Sequence, residues 1–272
     1  MRHDDLIYDI GMDQCQDTDF YLAKGFRVVA VDANPAVCEM ARERYAKQIN
    51  SGQLTVLNRA ISEASEPLVF HVCETLSMLS TADDYLRDRE VSRNGHTFKD
   101  VTVEGLRPAD LVGEYGIPYF AKIDIEGFDL VCLRGFEGFA EKPYYVSTEA
   151  DLRAYHDQVD CLSGLGYNRF ALVSQGGVGK QKPPRPAKIG RDIDHTFVTH
   201  SSGLFGPELP YEWVSRNELL DRFRDVMIQS KLTGALRATQ LHRFKKTAPM
   251  VDSIRKRYLP LARDWYDIHA AV

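Results

Sequence analysis

The chain has 272 residues, with 34 Lys plus Arg against 39 Asp plus Glu, a formal charge of −5, and 44% hydrophobic residues. That balance fits a globular protein with one sizeable core, and its acidity argues against a nucleic-acid partner, which would need a concentrated basic surface. No window approaches the roughly 18 consecutive apolar residues of a membrane span.

The start Met1-Arg2-His3-Asp4-Asp5 is polar, and Cys15, Cys38, Cys73, Cys132 and Cys161 are scattered. Together they predict a cytoplasmic protein with reduced, mostly buried thiols.

In chain order, Leu6 to Ile10 reads as a strand entering a turn at Gly11. A short helix capped by Asp17-Thr18 ends at Lys24-Gly25. The β-branched run Arg27 to Asp32 is a second strand, and Asn34-Pro35 opens a long helix to about Asn50. Leu54 to Leu57 is a third strand. Residues 62–118 are less regular, with an extra strand over Leu68 to Val72. Tyr119 to Asp124 and Tyr144 to Thr148 are further strands, and Leu152, Tyr155, Val159 and Leu162 share a helical face.

Phe170 to Val173 and Thr196 to Val198 are expected to form a closing antiparallel hairpin around a mobile loop, Gln175 to Gly190. In that loop Lys180 precedes Gln181 rather than Ser or Thr, so it is not a phosphate loop. Ser215-x-x-Glu218 is a capping box ahead of a helix, and a last helix runs from about Thr247 past Trp265. The expected organisation is a main domain over residues 1–214 with a C-terminal helical extension, 215–272, packed on it. The alternation of strand and helix indicates an α/β fold with a mostly parallel sheet, helices on both faces and a closing antiparallel strand.

In such sheets ligands bind beyond the carboxyl ends of the strands, where strand order reverses. The residues there are Asp9 and Gly11, Asp32, Asn58, Asp124 with Glu126, and Glu149. Asp32 closes the second strand 21 residues after Gly11, a spacing suited to hydrogen-bonding the ribose hydroxyls of an adenosine cofactor. The turn Gly11-Met12-Asp13-Gln14-Cys15-Gln16 has one glycine, against the three of a dinucleotide fingerprint. Its acid would repel pyrophosphate but accept hydrogen bonds from an ammonium group, which favours S-adenosylmethionine over NAD.

Two blocks carry a resemblance. The first runs from Asp9-Ile10-Gly11 through Asp17-Thr18 to Val31-Asp32-Ala33-Asn34-Pro35. The second is Lys122-Ile123-Asp124-Ile125-Glu126-Gly127-Phe128-Asp129-Leu130. With Val146 to Ala150 and Ser201 to Gly206, they resemble FkbM-type methyltransferases over about residues 5–214. The family's first turn commonly has Asn and a second Gly where this chain has Asp13 and Cys15.

The resemblance implies a Rossmann-like class I methyltransferase fold, S-adenosylmethionine as donor, and O-methylation of a sugar, glycan or secondary-metabolite hydroxyl. The expected cofactor residues are Asp9, Gly11, Asp13, Asp17, Thr18, Asp32, Asn58 and Asp124. The expected catalytic residues are Asp124, Glu126 and Glu149, with Asp124 holding the cofactor or orienting the acceptor and Glu126 or Glu149 as general base. The bland alternative pairs Lys122 with Asp124 and has Glu126 capping the next helix.

No metal is expected, although Asp124, Glu126 and Glu149 are oxygen donors suited to magnesium or calcium. His195 and His200 read as structural or acceptor-facing. Lys231 to Arg257 holds eight basic residues and one acid, a solvated face or a site for an anionic acceptor. Two other functions stay open: a non-catalytic S-adenosylmethionine-binding module, and an NAD-dependent oxidoreductase.

Overall fold

A computed structural model describes residues 1–151, 154–238 and 265–272. The first strand, β1 (Arg2–Ile10), is followed by α1 (Gln16–Ala23), β2 (Arg27–Asp32), α2 (Pro35–Arg44), α3 (Ala46–Asn50) and β3 (Leu54–Asn58). Asn34 caps α2 by accepting from the Ala36 N–H at 3.1 Å, with Pro35 at the first helical position. The single long helix expected to Asn50 is broken at Tyr45. This residue is 4% exposed, and its hydroxyl donates to Asp19 at 2.6 Å, so its ring turns inward at the cost of helical continuity.

The irregular region contains β4 (Ala60–Ile61), β5 (Leu68–Cys73), α4 (Asp84–Asn94), β6 (Phe98–Val103), β7 (Gly105–Leu106) and α5 (Pro108–Tyr115). There β5 and β6 form a separate antiparallel pair. The remaining elements are β8 (Ile117–Ile123), α6 (Asp129–Arg134), β9 (Tyr145–Glu149), α7 (Tyr155–Gly164), β10 (Arg169–Ser174), α8 (Arg216–Ala238) and β11 (Tyr266–Ala271). The capping box forms, with the Ser215 N–H and hydroxyl donating to Glu218 at 2.9 and 2.7 Å. Among the described residues, no helix is long and apolar enough to cross a membrane.

The central sheet has the order β10-β11-β9-β8-β1-β2-β3. Every neighbouring pair from β9 to β3 is parallel, and β11 runs antiparallel to both β9 and β10. Two apolar layers cover its faces, one around Leu6, Tyr8, Ile10 and Ile123, the other around Ile7, Phe20, Val28 and Phe120. This is the doubly wound architecture with a closing antiparallel strand, and strand order reverses between β1 and β8.

The closing strand differs from the expected one. Residues 196–198 form no strand, and β10 pairs instead with β11, near the chain's end. The segment expected as helix past Trp265 thus becomes an inner strand of the main sheet, and the sheet extends beyond a boundary at residue 214. Local pattern misleads here because Asp267 and His269 alternate with Tyr266, Ile268 and Ala270, yet burial between β9 and β10 covers both faces. The helix expected from Thr247, and most of the basic run to Arg257, lie outside the described residues.

Gln175 to Gly190 is packed rather than loose. Val178 is 2% exposed, and the Lys188 N–H donates to Glu208 at 2.9 Å. Glu208 also takes both contacts of a fully buried ion pair with Lys24 at the end of α1, 2.8 and 3.0 Å. The chain from 200 to 208 is thereby fastened over α1, and the Ser202 N–H donates to the Asp17 carboxylate at 2.8 and 3.1 Å.

Candidate functional site

A cleft opens over the carboxyl ends of β2, β1, β8 and β9, and residues 200–202 and 265–267 wall its far side. Its floor requires glycine at position 11. Gly11 has φ +84°, and a Cβ there would lie 1.8 Å from the Asp124 carbonyl oxygen. The Gly11 N–H donates to Val31 at 2.8 Å and its carbonyl accepts from Lys122 Nζ at 2.6 Å, so this residue joins three strand ends. Asp13 and Cys15 also take left-handed conformations, φ 39° and 63°, local strain in the turn that shapes the cleft.

Asp32 lines the cleft with both oxygens engaged, accepting from the N–H groups of Asp13 at 3.0 Å and Asn34 at 2.8 Å. Burial raises its pKa to about 6, against the opposing effect of these two donors. Asp13 accepts from the Ser77 hydroxyl at 2.6 Å, which draws the Ser77 turn over the opening.

Gly11, Asp13, Asp17, Asp32, Asp124, Glu126 and Glu149 all line the cleft. Asp9, Thr18 and Asn58 stand behind it. Asp9 is fully buried and accepts from the Thr18 hydroxyl at 2.5 Å, while Asn58 donates to the carbonyls of Asp32 and Ala33, both at 3.1 Å. These three hold the strand ends in register.

Lys122 stands at the centre of the acids. Its Nζ lies 3.6 Å from Asp9, 3.9 Å from Asp17 and 3.4 Å from Asp124. Burial alone would lower the Lys122 pKa, but Asp124, Asp9 and Asp17 outweigh it and keep the ammonium charged. Asp17 is pushed up to about 6 by burial, partly offset by Lys122. The Lys122–Asp124 ion pair of the bland reading therefore exists.

Its other half does not. Phe128, not Glu126, sits at the N-cap of α6, which has no side-chain cap, and Glu126 has φ 43°. Among the described residues, the carboxyl groups of Glu126 and Glu149 have neither a hydrogen-bond nor an ion-pair partner. Burial first, then the neighbouring acids, raises Glu126 to about 8 and Glu149 to about 10.

Both residues also border a second cavity between α4 and the start of α7, reaching Arg89 and Gln158. They form the partition between the two spaces. Oxygens of Asp124, Glu126 and Glu149 lie within 4.8 Å of one another, close enough to share one hard cation.

Sequence reasoning missed Asp267, Gln175 and Ser201, all lining the cleft. Asp267 sits opposite Glu149 in the β11–β9 register, and burial raises its pKa well above the usual range. No local motif marks Asp267 or Gln175, and Ser201, although it opens the Ser201 to Gly206 stretch, reaches the cleft only because that stretch is fastened over α1. His200 also lines the cleft and stacks on Trp265 with ring centres 6.4 Å apart, whereas His195 packs on Phe20 and Phe197.

The family model described as the methyltransferase FkbM domain matches residues 8–170, more than half of the chain. No curated protein matches. Among solved structures, precorrin-6y C5,15-methyltransferase from Geobacter metallireducens GS-15 aligns over 99% of this chain and 81% of its own, at 10% identity and a TM-score of 0.37, too slight a likeness to bear on function.

Proposed function

Because the chain belongs to the FkbM family and is an S-adenosylmethionine-dependent methyltransferase, we propose that it methylates a hydroxyl of a sugar, glycan or secondary metabolite. Glu126 or Glu149 takes the acceptor's proton. The observation that carries this reading is the pair of carboxyls at the partition between the two cavities, without partners among the described residues. An oxidoreductase is set aside by the family.

The residues present suit the cofactor. Asp32 retains acceptor capacity beside its two backbone donors, and Gly11 lines the cleft next to it. Cys15, where the family commonly has Gly, is 0% exposed and packs into the core under α1, so it does not crowd the cleft. That removes Cys15 as a reason for reading the turn as degenerate and the protein as a non-catalytic module; the other departure, Asp13, lines the cleft.

When bound, S-adenosylmethionine supplies a methyl group already activated on a sulfonium, which leaves the protein to position and to move one proton. Asp32 orients the ribose. Lys122 fixes Asp124 at the edge of the cofactor space, while the acceptor hydroxyl enters at Glu126 and Glu149. A hydroxyl has a far higher pKa than an ordinary carboxyl, so a carboxyl raised to about 8 or 10 is a better matched base. The acidic lining also opposes an anionic group at the reacting end and favours a neutral, hydroxylated one.

The test is turnover of radiolabelled S-adenosylmethionine on a panel of sugars and hydroxylated metabolites, with Glu126→Gln and Glu149→Gln beside the parent protein. Loss of turnover in at least one variant that still binds S-adenosylhomocysteine supports the reading; normal turnover in both overturns it. The three oxygens within 4.8 Å favour one second reading, a divalent cation that orients the acceptor. Activity that disappears with EDTA and returns with magnesium would select it over proton transfer to a free carboxylate.

A further inference from the structure

The late part of the chain contributes two polar groups to the cleft that the reading above leaves unused. Gln175 and Ser201 line it and are 9% and 4% exposed. Gln175 Nε2 and Ser201 Oγ are buried with no hydrogen-bond partner among the described residues. A buried donor left unpaired is costly, so two on one wall mark where a ligand's acceptor atoms belong.

Both groups are held in place by backbone. The Gln175 N–H donates to the Trp265 carbonyl at 3.1 Å, at the entrance to β11. Ser201 precedes Ser202, whose N–H is bound by Asp17 at the opening of α1. Both residues therefore belong to a wall of the cleft that is locked to the donor turn.

The rest of the lining sharpens their meaning. Asp13, Asp17, Asp32, Asp124, Glu126, Glu149 and Asp267 make it acidic. Of the described Lys and Arg side chains that line it, Lys122 is spent on Gly11 and three carboxylates. The other, Arg59, is exposed and follows β3, on the far side of Asp32. An anionic group lying away from the β2–β3 side thus meets Gln175 and Ser201 as its uncommitted buried donors.

We infer that Gln175 and Ser201 receive the α-carboxylate of the donor's amino-acid end. The inference rests on the ribose lying at Asp32, which sends that end away from β3 towards the wall at 200–202. Both residues lie beyond the family-model match at 8–170.

The experiment is calorimetry on the full chain with two ligands: S-adenosylhomocysteine, and 5′-deoxy-5′-methylthioadenosine, which lacks the amino-acid end. Gln175→Leu and Ser201→Ala should each weaken S-adenosylhomocysteine by about tenfold while methylthioadenosine changes by less than about twofold. Retained nucleoside binding also shows that each variant is folded. If Gln175→Leu does not fold, Gln175→Glu keeps the shape and sets a carboxylate against a carboxylate, with the same selective loss expected.

Equal weakening of both ligands, or unchanged S-adenosylhomocysteine binding in folded variants, overturns the inference alone. A parent protein that binds neither ligand overturns the donor reading with it.

Discussion

Two sets of acids stand side by side at the carboxyl ends of the sheet, and they are treated in opposite ways. Asp9, Asp17 and Asp124 surround one buried ammonium, and Asp9 and Asp17 have further donors in Thr18 and Ser202. The carboxyls of Glu126 and Glu149, a few ångströms further along, have no partner among the described residues, and both residues border two cavities. Compensated acids of the first kind tie strand ends together. Uncompensated ones are a standing cost to stability, and a fold retains that cost where the free carboxyl is needed for chemistry.

The sharpest way to break this contrast is to remove the compensation. Lys122→Met leaves Asp9, which is fully buried, with no cation. Removing one partner of a buried ion pair costs about 3–5 kcal/mol, read as a lower urea midpoint. The deficit should shrink as pH falls, because Asp9 and Asp17, both already raised by burial, then take up protons and need no counter-charge. A loss below about 1 kcal/mol would mean that Lys122 is not what holds this set together.

The second set should respond in rate rather than stability. Glu126→Gln or Glu149→Gln, whichever removes the base, is expected to lower kcat by about 10²- to 10⁴-fold with S-adenosylhomocysteine affinity retained. In the parent protein, activity should rise with pH above the ordinary carboxylate range as the base loses its proton, because burial and the neighbouring acids raise both groups. Flattening of that limb in only one variant identifies the residue.

A smaller effect is expected at the adenosine end. Asp32→Asn has one oxygen for the two N–H groups of Asp13 and Asn34, and its amide must face one of them. S-adenosylhomocysteine and methylthioadenosine should both weaken by about tenfold, unlike the selective loss expected at Gln175 and Ser201.

How far the sequence showed this arrangement depends on which side of the cleft is considered. Asp32, Asp124, Glu126 and Glu149 were legible because β-branched runs locate parallel strands, and ligands lie at the ends of such strands. Spacing could not separate Asp9 from Gly11: two residues along a strand give the same face but a different depth, and Asp9 is sealed beneath the turn. Asp267 was illegible for a different reason. Its strand reaches the sheet only by inserting between β9 and β10 from the far end of the chain, and six residues containing Asp and His carry no local sign of that. Gln175 and Ser201 likewise depend on long-range placement.

The smallest expected effect is also the most direct measure of the cost of a free carboxyl. Glu126 has its pKa raised from 4.5 to about 8, so between those values the folded protein keeps a proton that the unfolded chain has released. Stability then falls as pH rises through that window, because the native state binds more protons than the unfolded one. Glutamine cannot ionise and escapes the loss. Glu126→Gln should therefore melt higher than the parent protein at pH 8, with the advantage fading towards pH 5. A variant that melts lower than the parent at pH 8 would show that Glu126 is compensated after all, and the line between the two sets of acids would have to be redrawn.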